Sequence, residues 1–211
     1  MAKLGFLGLG IMGGPMAQRL VEAGHSVAVW SHSTQKAKDL ASASGASFCA
    51  APEDVAKNAD CVFLCVGDTA MSHEVILGPA GLAKGARRGF TIVDCSTVSA
   101  QESMRMASEL ETHGIDFLDA PCTGSTSGAK SGTLTFMVGG KKEVFERVRP
   151  YFEAMGKLLY YCGSSGMGLR GYLPGRISAG LHRGWSKAWR AARCRRRSCW
   201  RPDTSCHAWS C

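Results

Sequence analysis

The sequence predicts an α/β fold built on a doubly wound parallel sheet with helices on both faces. Short apolar runs alternate with longer segments of helical periodicity from the N-terminus to about residue 169. The run at residues 61–66 is apolar throughout, which is typical of a strand buried on both faces of a parallel sheet. Alternating strands and helices imply right-handed βαβ connections, and these place helices on both sides of the sheet.

The order of the elements follows from local patterns along the chain. Strand candidates are the apolar runs at residues 4–7, 27–30, 61–66, 91–93, 115–118, 134–138 and 158–161. Apolar residues repeat at helical spacing after the first strand, and Gly24 is suited to end that helix. Further helices are predicted over about residues 34–43, 99–112 and 142–155. Ser99 is the expected N-cap of one of them, with Glu102 completing a capping box.

A glycine-rich turn follows the first strand and opens the first helix. Its G-x-G-x-x-G pattern is made of Gly8, Leu9, Gly10, Ile11, Met12 and Gly13. The first glycine allows a tight turn, the second lets the backbone approach a pyrophosphate, and the third lets helix and strand pack closely. Free N–H groups at the helix N-terminus then hold the phosphates. The pattern predicts a Rossmann-type dinucleotide-binding domain, and the alternative is a glycine-rich turn without a ligand.

The end of the second strand bears on which dinucleotide is bound. An NAD site usually has an acidic residue about 20 residues after the glycines, where it bonds the ribose 2′-hydroxyl. Here the chain has side chains that could bond a 2′-phosphate instead: Ser31, His32, Ser33 and Lys36. This favours NADP as the cofactor, with NAD as the alternative. These residues also fit a solvated helix start in which Ser33 is the N-cap.

Two polar segments follow later strands, at the edge where an open α/β sheet binds ligands. One begins at Asp94 and the other at Asp119, and hydroxyl-bearing residues and glycine follow in both. Neutral donors of this kind suit a small carboxylate ligand. Ordinary loop structure built from serine, threonine and glycine is the alternative.

Taken together, these motifs resemble the β-hydroxyacid dehydrogenases, the family of 3-hydroxyisobutyrate dehydrogenase, tartronate semialdehyde reductase and the glyoxylate/succinic semialdehyde reductases. The glycine signature, the D-C-S-T-V segment at Asp94 and the D-A-P-C-T-G-S segment at Asp119 show the resemblance, which covers about residues 1–169. It implies an NAD(P)-dependent oxidoreductase that transfers hydride between a nicotinamide cofactor and a small hydroxy acid or semialdehyde. It also implies that Thr97 contacts the cofactor.

The resemblance implies further roles at two sites. Cys65 and Val66 would lie along the cofactor. Thr123 and Gly124 would hold the carboxylate of the substrate, with Thr123 in place of the family's usual serine. A small carboxylate is therefore the expected partner, and no metal ion is expected at either site.

The resemblance ends at the position that the family uses for catalysis. This chain has Tyr172 at the family's lysine position, and Gly175 and Arg176 at the positions of two asparagines. Pro174 would break the long helix that carries those residues in the family. We therefore assign no catalytic residue and expect cofactor binding with impaired catalysis. The family's all-α second domain and its homo-oligomer contacts are expected to be missing.

The net charge of the chain is concentrated at its C-terminal end. The 25 basic and 17 acidic residues give +8 overall. Residues 1–169 hold 15 basic and 16 acidic side chains, so the remaining residues carry the whole excess. The sequence thus divides into a dinucleotide-binding domain at residues 1–162, the start of an interdomain segment at 163–169, and a basic tail at 170–211 that is expected to be disordered.

Three interpretations fit the composition of the basic tail. It is expected to be a frameshifted translation of the family's helical domain, because its bias toward Arg, Trp, Cys, Gly and Pro is typical of an out-of-frame product. The alternative is a functional tail that binds nucleic acid through arginine and tryptophan. A zinc site would need Cys194, Cys199, Cys206 and Cys211, whose spacing is unlike that of common zinc ribbons. Nucleic acid and metal are therefore not assigned as partners.

The remaining sequence features indicate a cytoplasmic protein. No apolar run approaches the roughly 20 residues that cross a bilayer. Six cysteines are scattered through residues 1–169, several of them within apolar runs. They are predicted to be buried free thiols in a reducing compartment.

Overall fold

Nine strands form one sheet in the part of the chain that the structure describes. The structure is a computed structural model, and it describes residues 1–172. The strands are β1 (Lys3–Leu7), β2 (Ser26–Trp30), β3 (Ser47–Phe48), β4 (Cys61–Leu64), β5 (Thr91–Asp94), β6 (Asp116–Asp119), β7 (Cys122–Thr123), β8 (Leu134–Gly140) and β9 (Gly156–Gly163). Their order is β3-β2-β1-β4-β5-β6-β8-β7, and β9 also pairs with β8.

Helices connect most of the strands. They are α1 (Gly13–Glu22), α2 (Thr34–Ser44), α3 (Pro52–Asn58), α4 (Thr69–Leu77), α5 (Leu82–Gly85), α6 (Ala100–Thr112), α7 (Thr126–Ser131), α8 (Lys142–Met155) and α9 (Met167–Tyr172). Gly24 follows α1 with a φ of 84°, a left-handed conformation that glycine adopts at low cost. The helices predicted at residues 34–43, 99–112 and 142–155 are confirmed within one residue at each end.

Strands β1 to β6 are parallel, and the winding reverses between β1 and β4. From β1 the chain moves outward through β2 to β3, then returns to β4 on the other side of β1. Leu7 is in register with both Trp30 and Leu64, so the three strands end side by side. Connections diverge at such a point and leave a crevice at the carboxyl ends of the strands, where open α/β sheets bind their ligands.

The far end of the sheet corrects the expectation of a wholly parallel arrangement. Strand β8 pairs antiparallel with β6 and β7, and β9 pairs parallel to β8. A parallel connection needs roughly a dozen residues or more. Only ten residues separate β7 from β8, so the chain returns antiparallel.

The core consists of two apolar layers, one on each face of the sheet. Phe6 and Phe63 point into one layer, whereas Leu7 and Leu64 point into the other, as the alternation of side chains along a strand requires. The first layer is closed by α1 and α8, and Phe152 of α8 packs edge-on against Phe63 with ring centroids 5.3 Å apart. Burial on both faces explains why the central strands read as unbroken apolar runs.

The N-terminus of α6 confirms one part of its predicted cap and corrects the other. Ser99 Oγ accepts the backbone N–H of Glu102 at 3.4 Å, as expected of an N-cap. Glu102 does not return a bond to Ser99, because its carboxylate accepts from Arg105. The backbone N–H of Ser99 instead donates to Thr69 Oγ1 on α4 at 3.0 Å, so a neighbouring helix supplies the acceptor.

Several boundaries differ from the predictions. Strand β4 ends at Leu64, two residues before the end of the predicted run. Helix α9 includes residues 170–172, where no regular structure was expected. The short elements β3, β7, α3, α4, α5 and α7 were not predicted, since segments of two to nine residues give little periodic signal. The interpretations of residues 173–211 lie outside the described residues.

The described cysteines are all free thiols, as predicted. Cys49, Cys61 and Cys95 are buried, and the rest are partly exposed: Cys65, Cys122 and Cys162. Among residues 1–172, no helix combines the length and the apolar character that a bilayer crossing requires.

Candidate functional site

The glycine-rich turn between β1 and α1 lies against the end of β4. Gly8 has a φ of 86°, and a Cβ atom on it would lie 2.2 Å from the carbonyl oxygen of Cys65. A Cβ on Gly13 would lie 1.9 Å from the carbonyl oxygen of Gly8. Both contacts are with backbone, which cannot turn away, so both positions require glycine. Gly10 differs, because a Cβ there would meet no atom within 4 Å.

A cavity of about 650 Å³ opens where β1, β2 and β4 end. It is lined by most of the predicted cofactor residues: Gly8, Leu9, Gly10, Ser31, His32, Ser33, Lys36, Cys65 and Val66. They come from three separate segments that parallel pairing brings to one edge of the sheet. The volume falls within the range of about 300–1,000 Å³ that is usual for small-molecule and cofactor sites.

The polar end of the cavity lies between β2 and α2. Ser31 is buried there, whereas His32, Ser33 and Lys36 are exposed. Ser33 occupies the N-cap position of α2, but its side chain makes no capping hydrogen bond. The hydroxyl group is therefore not engaged by the helix, which weakens the capping interpretation of this residue.

One wall of the cavity was missed by the sequence analysis. It is formed largely by apolar residues of α3, of α4 and of the loop after α4: Pro52, Met71, Val75, Pro79 and Ala80. Glu74 of α4 also lines the cavity. The site therefore contains a carboxylate, although none lies at the end of β2. The sequence signal for the start of α4 is Asp68, a typical N-cap residue. Its side chain caps the helix by accepting the N–H of Met71 at 2.8 Å.

Asp94 is buried and ties two walls of the cavity together. Its carboxylate accepts from Ser72 Oγ of α4 at 2.5 Å and from the N–H of Ser96 at 2.8 Å. Ser96 Oγ in turn accepts the N–H of Val66, a cavity residue, at 2.9 Å. Burial raises the pKa of Asp94, although these hydrogen bonds oppose the change. The carboxylate is thus a structural support of the cavity and does not face it.

Asp119 occupies the corresponding position at the end of β6 and is fully buried. Its two carboxylate oxygens accept the backbone N–H groups of Gly166 at 2.7 Å and Leu169 at 3.0 Å. Burial raises its pKa to about 6, with the backbone hydrogen bonds acting in the opposite direction. Among residues 1–172, no basic side chain forms an ion pair with it.

The thiols near this edge of the sheet are poor nucleophiles. Burial raises the pKa of Cys65 to about 12 and that of Cys122 to about 11. The thiolate is the reactive form of cysteine, so both groups are inert near neutral pH. Within the described residues, no group of three or more His, Cys, Asp or Glu side chains could hold a metal ion.

The remaining predicted site residues lie outside the cavity. Ile11 is 80% exposed at the tip of the glycine turn, and neither Met12 nor Gly13 lines the cavity. Thr97 is exposed in the connection between β5 and α6. Their contacts with a cofactor remain predictions.

The predicted substrate residues form a separate, exposed segment. Thr123 ends β7, and Gly124 follows it with a φ of 141°. Neither lines the 650 Å³ cavity. Tyr172, at the family's lysine position, is half-buried at the end of α9.

Comparison with known families agrees with this geometry. The family model described as the NAD binding domain of 6-phosphogluconate dehydrogenase matches residues 3–163. The chain belongs to this family. The match contains the glycine turn, the cavity and both buried aspartates, and it ends where β9 ends.

Relatives of this NAD-binding domain include oxidoreductases that act on small hydroxy acids. The chain is 44% identical over 166 residues to 2-hydroxy-3-oxopropionate reductase of Escherichia coli, an alignment that covers 79% of this chain and 56% of that protein. It is 32% identical to the solved 3-hydroxyisobutyrate dehydrogenase of Mycobacterium tuberculosis, with a TM-score of 0.76, covering 82% of this chain and 58% of that one. The predicted resemblance to the β-hydroxyacid dehydrogenases is confirmed.

A further solved relative holds a nicotinamide cofactor. Psf3, in complex with NADP+ and 2-OPP, is 27% identical with a TM-score of 0.77, and the match covers 80% of this chain and 60% of that one. The chain spans between half and two thirds of the length of the relatives described here. The described residues therefore correspond to the cofactor domain of larger oxidoreductases.

The glycine turn leads to a paired prediction about stability. We expect Gly13→Ala to lower the free energy of unfolding by roughly 2 kcal/mol or more, because the added Cβ overlaps a backbone oxygen. Gly10→Ala is the matched control and should change it by less than about 0.5 kcal/mol, since the new methyl group meets no atom. Urea unfolding of both variants measures the difference, and equal losses would contradict the structure.

Asp119 leads to a prediction about pH. Its pKa is about 6 in the folded protein and ordinarily 3.8, so the folded state binds the proton more tightly than the unfolded state does. Its contribution to the free energy of unfolding is therefore greatest below pH 4 and falls by roughly 2–3 kcal/mol as the pH rises through 6. Asp119→Asn should flatten this dependence when urea unfolding is measured between about pH 4 and pH 7.

The pKa of Asp94 is also raised by burial, so Asp94 likewise makes the protein less stable as the pH rises. Asp119→Asn should therefore reduce the slope of stability against pH without abolishing it. An Asp119→Asn variant whose stability fell with pH as steeply as that of the unaltered protein would contradict the assignment.

Proposed function

We propose that residues 1–172 are the cofactor domain of a β-hydroxyacid dehydrogenase-type oxidoreductase and bind NADP(H) in the 650 Å³ cavity. The observation that supports this is the combination of two features in one cavity. The glycine turn lines one part of it, and Ser31, His32, Ser33 and Lys36 line another. The first suits a pyrophosphate and the second suits a ribose 2′-phosphate.

The free space at the turn fits the proposed cofactor. Gly10 has no atom near its missing Cβ, so a phosphate can approach the backbone there. Helix α1 begins at Gly13 at this edge of the sheet, and no acidic side chain lies in its first turn. Partial positive charge at a helix N-terminus stabilises an anion.

The apolar wall accounts for a different part of the ligand. Met71, Val75 and Pro79 offer a surface without charge, which suits the face of an adenine ring. When bound, the nicotinamide ring supplies the hydride donor or acceptor of the reaction. The residues of this chain supply binding, orientation and exclusion of water.

The proposed substrate is a small hydroxy acid or semialdehyde that carries a carboxylate. Thr123 offers a hydroxyl donor and Gly124 a backbone donor, both in the exposed segment after β6. The activities named for the relatives support this substrate class.

Catalysis by this chain is proposed to be negligible. Reduction of a carbonyl requires a proton donor, which typically contributes about 10²–10⁴-fold to the rate. Tyr172 occupies the position of the family's lysine, and within residues 1–172 it has no hydrogen bond to a titratable side chain. Within residues 1–172, no titratable side chain is thus placed to help the Tyr172 hydroxyl deliver a proton to a substrate.

A cytoplasmic location is proposed on the basis of the thiols. All six described cysteines are free, and three of them are fully enclosed in the core. Oxidising compartments favour disulfide formation, whereas reducing ones keep thiols free.

Cofactor choice can be tested at Lys36. We expect Lys36→Ala to weaken binding of NADPH by roughly five- to tenfold and to change binding of NADH by less than about twofold, because only NADPH carries the 2′-phosphate. Isothermal titration calorimetry or quenching of NADPH fluorescence measures both constants. Lys38→Ala is the matched control, since Lys38 lies on the same helix but over the Phe48 ring and outside the cavity.

Gly10→Ala extends this test to the pyrophosphate, which both cofactors share. It should weaken NADPH and NADH alike while leaving the fold intact. Equal losses for the two cofactors in Lys36→Ala would overturn the NADP assignment. Failure of the unaltered chain to bind either cofactor would overturn the proposed function.

Negligible turnover is a separate expectation. The purified chain should reduce small semialdehydes with NADPH at a kcat below about 0.01 s⁻¹, against the roughly 10 s⁻¹ that is usual for enzymes. Absorbance of NADPH follows the reaction, and cofactor binding by the same preparation shows that the cavity is intact. A rate typical of enzymes would contradict the role assigned to position 172.

A further inference from the structure

We propose that Asp119 is a positioning residue, whose carboxylate fixes residues 163–172 to the end of β6 and so sets the path by which the chain reaches position 172. This rests on the proposed function, because position 172 and the segment after β6 matter together only if they serve one substrate. The physical contact itself does not depend on that function.

The first observation is that Asp119 binds backbone and not a ligand. One carboxylate oxygen accepts the N–H of Gly166 at 2.7 Å, and the other accepts the N–H of Leu169 at 3.0 Å. Asp119 has no exposed surface. A group with both oxygens engaged and no access to solvent cannot contact a substrate, so it acts on the site only through the segment it holds.

The second observation is the tight enclosure of the carboxylate by glycines. A Cβ on Gly139 would lie 2.6 Å from one carboxylate oxygen of Asp119, and a Cβ on Gly168 would lie 2.8 Å from the other. The same Cβ on Gly168 would also lie 2.4 Å from the carbonyl oxygen of Met137. The start of α9 therefore reaches β6 and β8 only because these positions lack side chains.

The third observation concerns the chemistry of the side chain. A buried carboxylate without a basic partner is costly, and it persists where several donors bond to it. Two backbone N–H groups need two acceptors, and a carboxylate supplies both. Asparagine has nearly the same size but would direct its NH₂ group at one of the donors. Position 119 therefore requires a side chain with two hydrogen-bond acceptors, and not only one of the right volume.

The consequence for the site follows from the order of the chain. Asp119 ends β6, and Thr123 and Gly124 come a few residues later. Helix α9, held by the same carboxylate, ends at Tyr172. One buried group therefore links the predicted substrate segment to the segment that carries the family's catalytic position.

Amide hydrogen exchange of the full chain, resolved by NMR, tests the proposal directly. In Asp119→Asn the amides of Gly166 and Leu169 should exchange at least about threefold faster relative to the amides of α8, because at least one charge-assisted hydrogen bond is lost. Asp94→Asn is the matched control, since its carboxylate supports the cofactor cavity and should leave these two amides unchanged. A smaller acceleration in Asp119→Asn, or an equal one in Asp94→Asn, would overturn the proposal.

A second measurement on the unaltered protein remains informative if Asp119→Asn does not fold. The amide resonances of Gly166 and Leu169 should shift together with a midpoint near pH 6, because both donate to the group that titrates there. Cys162 also lies near Asp119, and because burial raises its pKa to about 12 it stays neutral across this range. Resonances that do not move between pH 5 and 7 would overturn the contact.

Binding of NADPH separates this proposal from the proposed function. If the unaltered chain fails to bind NADPH but the two amides behave as described, the cofactor assignment fails and the positioning role of Asp119 stands. If NADPH binds and the amides do not respond, only the role of Asp119 is wrong.

Discussion

The contact between Gly8 and the carbonyl oxygen of Cys65 is the constraint on which the cofactor cavity depends. It places the turn after β1 directly against the end of β4, with room for no side chain between them. Gly13 then packs on Gly8 in the same way, so the start of α1 is fixed relative to both strands. Because β2 ends in register with β1, its polar residues reach the same opening. Close backbone packing thus produces both the fold at this edge and the space for a ligand.

Two buried aspartates extend this organisation to the neighbouring strands. Asp94 and Asp119 end β5 and β6 in matching register, and each bonds groups that belong to a different part of the chain. Asp94 secures α4 and Val66 at the cofactor cavity, whereas Asp119 secures the start of α9. Burial raises the pKa of both, which shows that their placement is costly for the ionised form. The hydrogen bonds to each carboxylate offset part of this cost. They also fix the relative positions of segments that apolar packing alone leaves adjustable.

The parts of the fold that the sequence predicts are those with a long periodic signal or a steric requirement. The central strands and α8 follow from apolar pattern, and the glycine turn follows from its spacing. The apolar cavity wall at Met71 and Pro79 has no such signal, because it is assembled from short elements that meet only in the folded chain. The predicted Ser99 cap of α6 is confirmed, but the role given to Glu102 was wrong for the same reason, since Ser99 N–H donates to Thr69 of another helix. Local rules identify which groups need partners but do not identify partners that are distant in sequence.

The division of roles along the chain explains how cofactor binding and catalysis can separate. Among residues 1–172, every residue that lines the 650 Å³ cavity lies between Gly8 and Ala80, at the edge of the sheet where β1, β2 and β4 end. The predicted substrate residues follow β6 along the chain, and the start of α9, which leads to position 172, is bonded to Asp119 at the end of β6. The proposed loss of a proton donor at position 172 therefore leaves every described wall of the cavity unaltered. The basic excess lies after residue 169, later in the sequence than every described residue that lines the cavity.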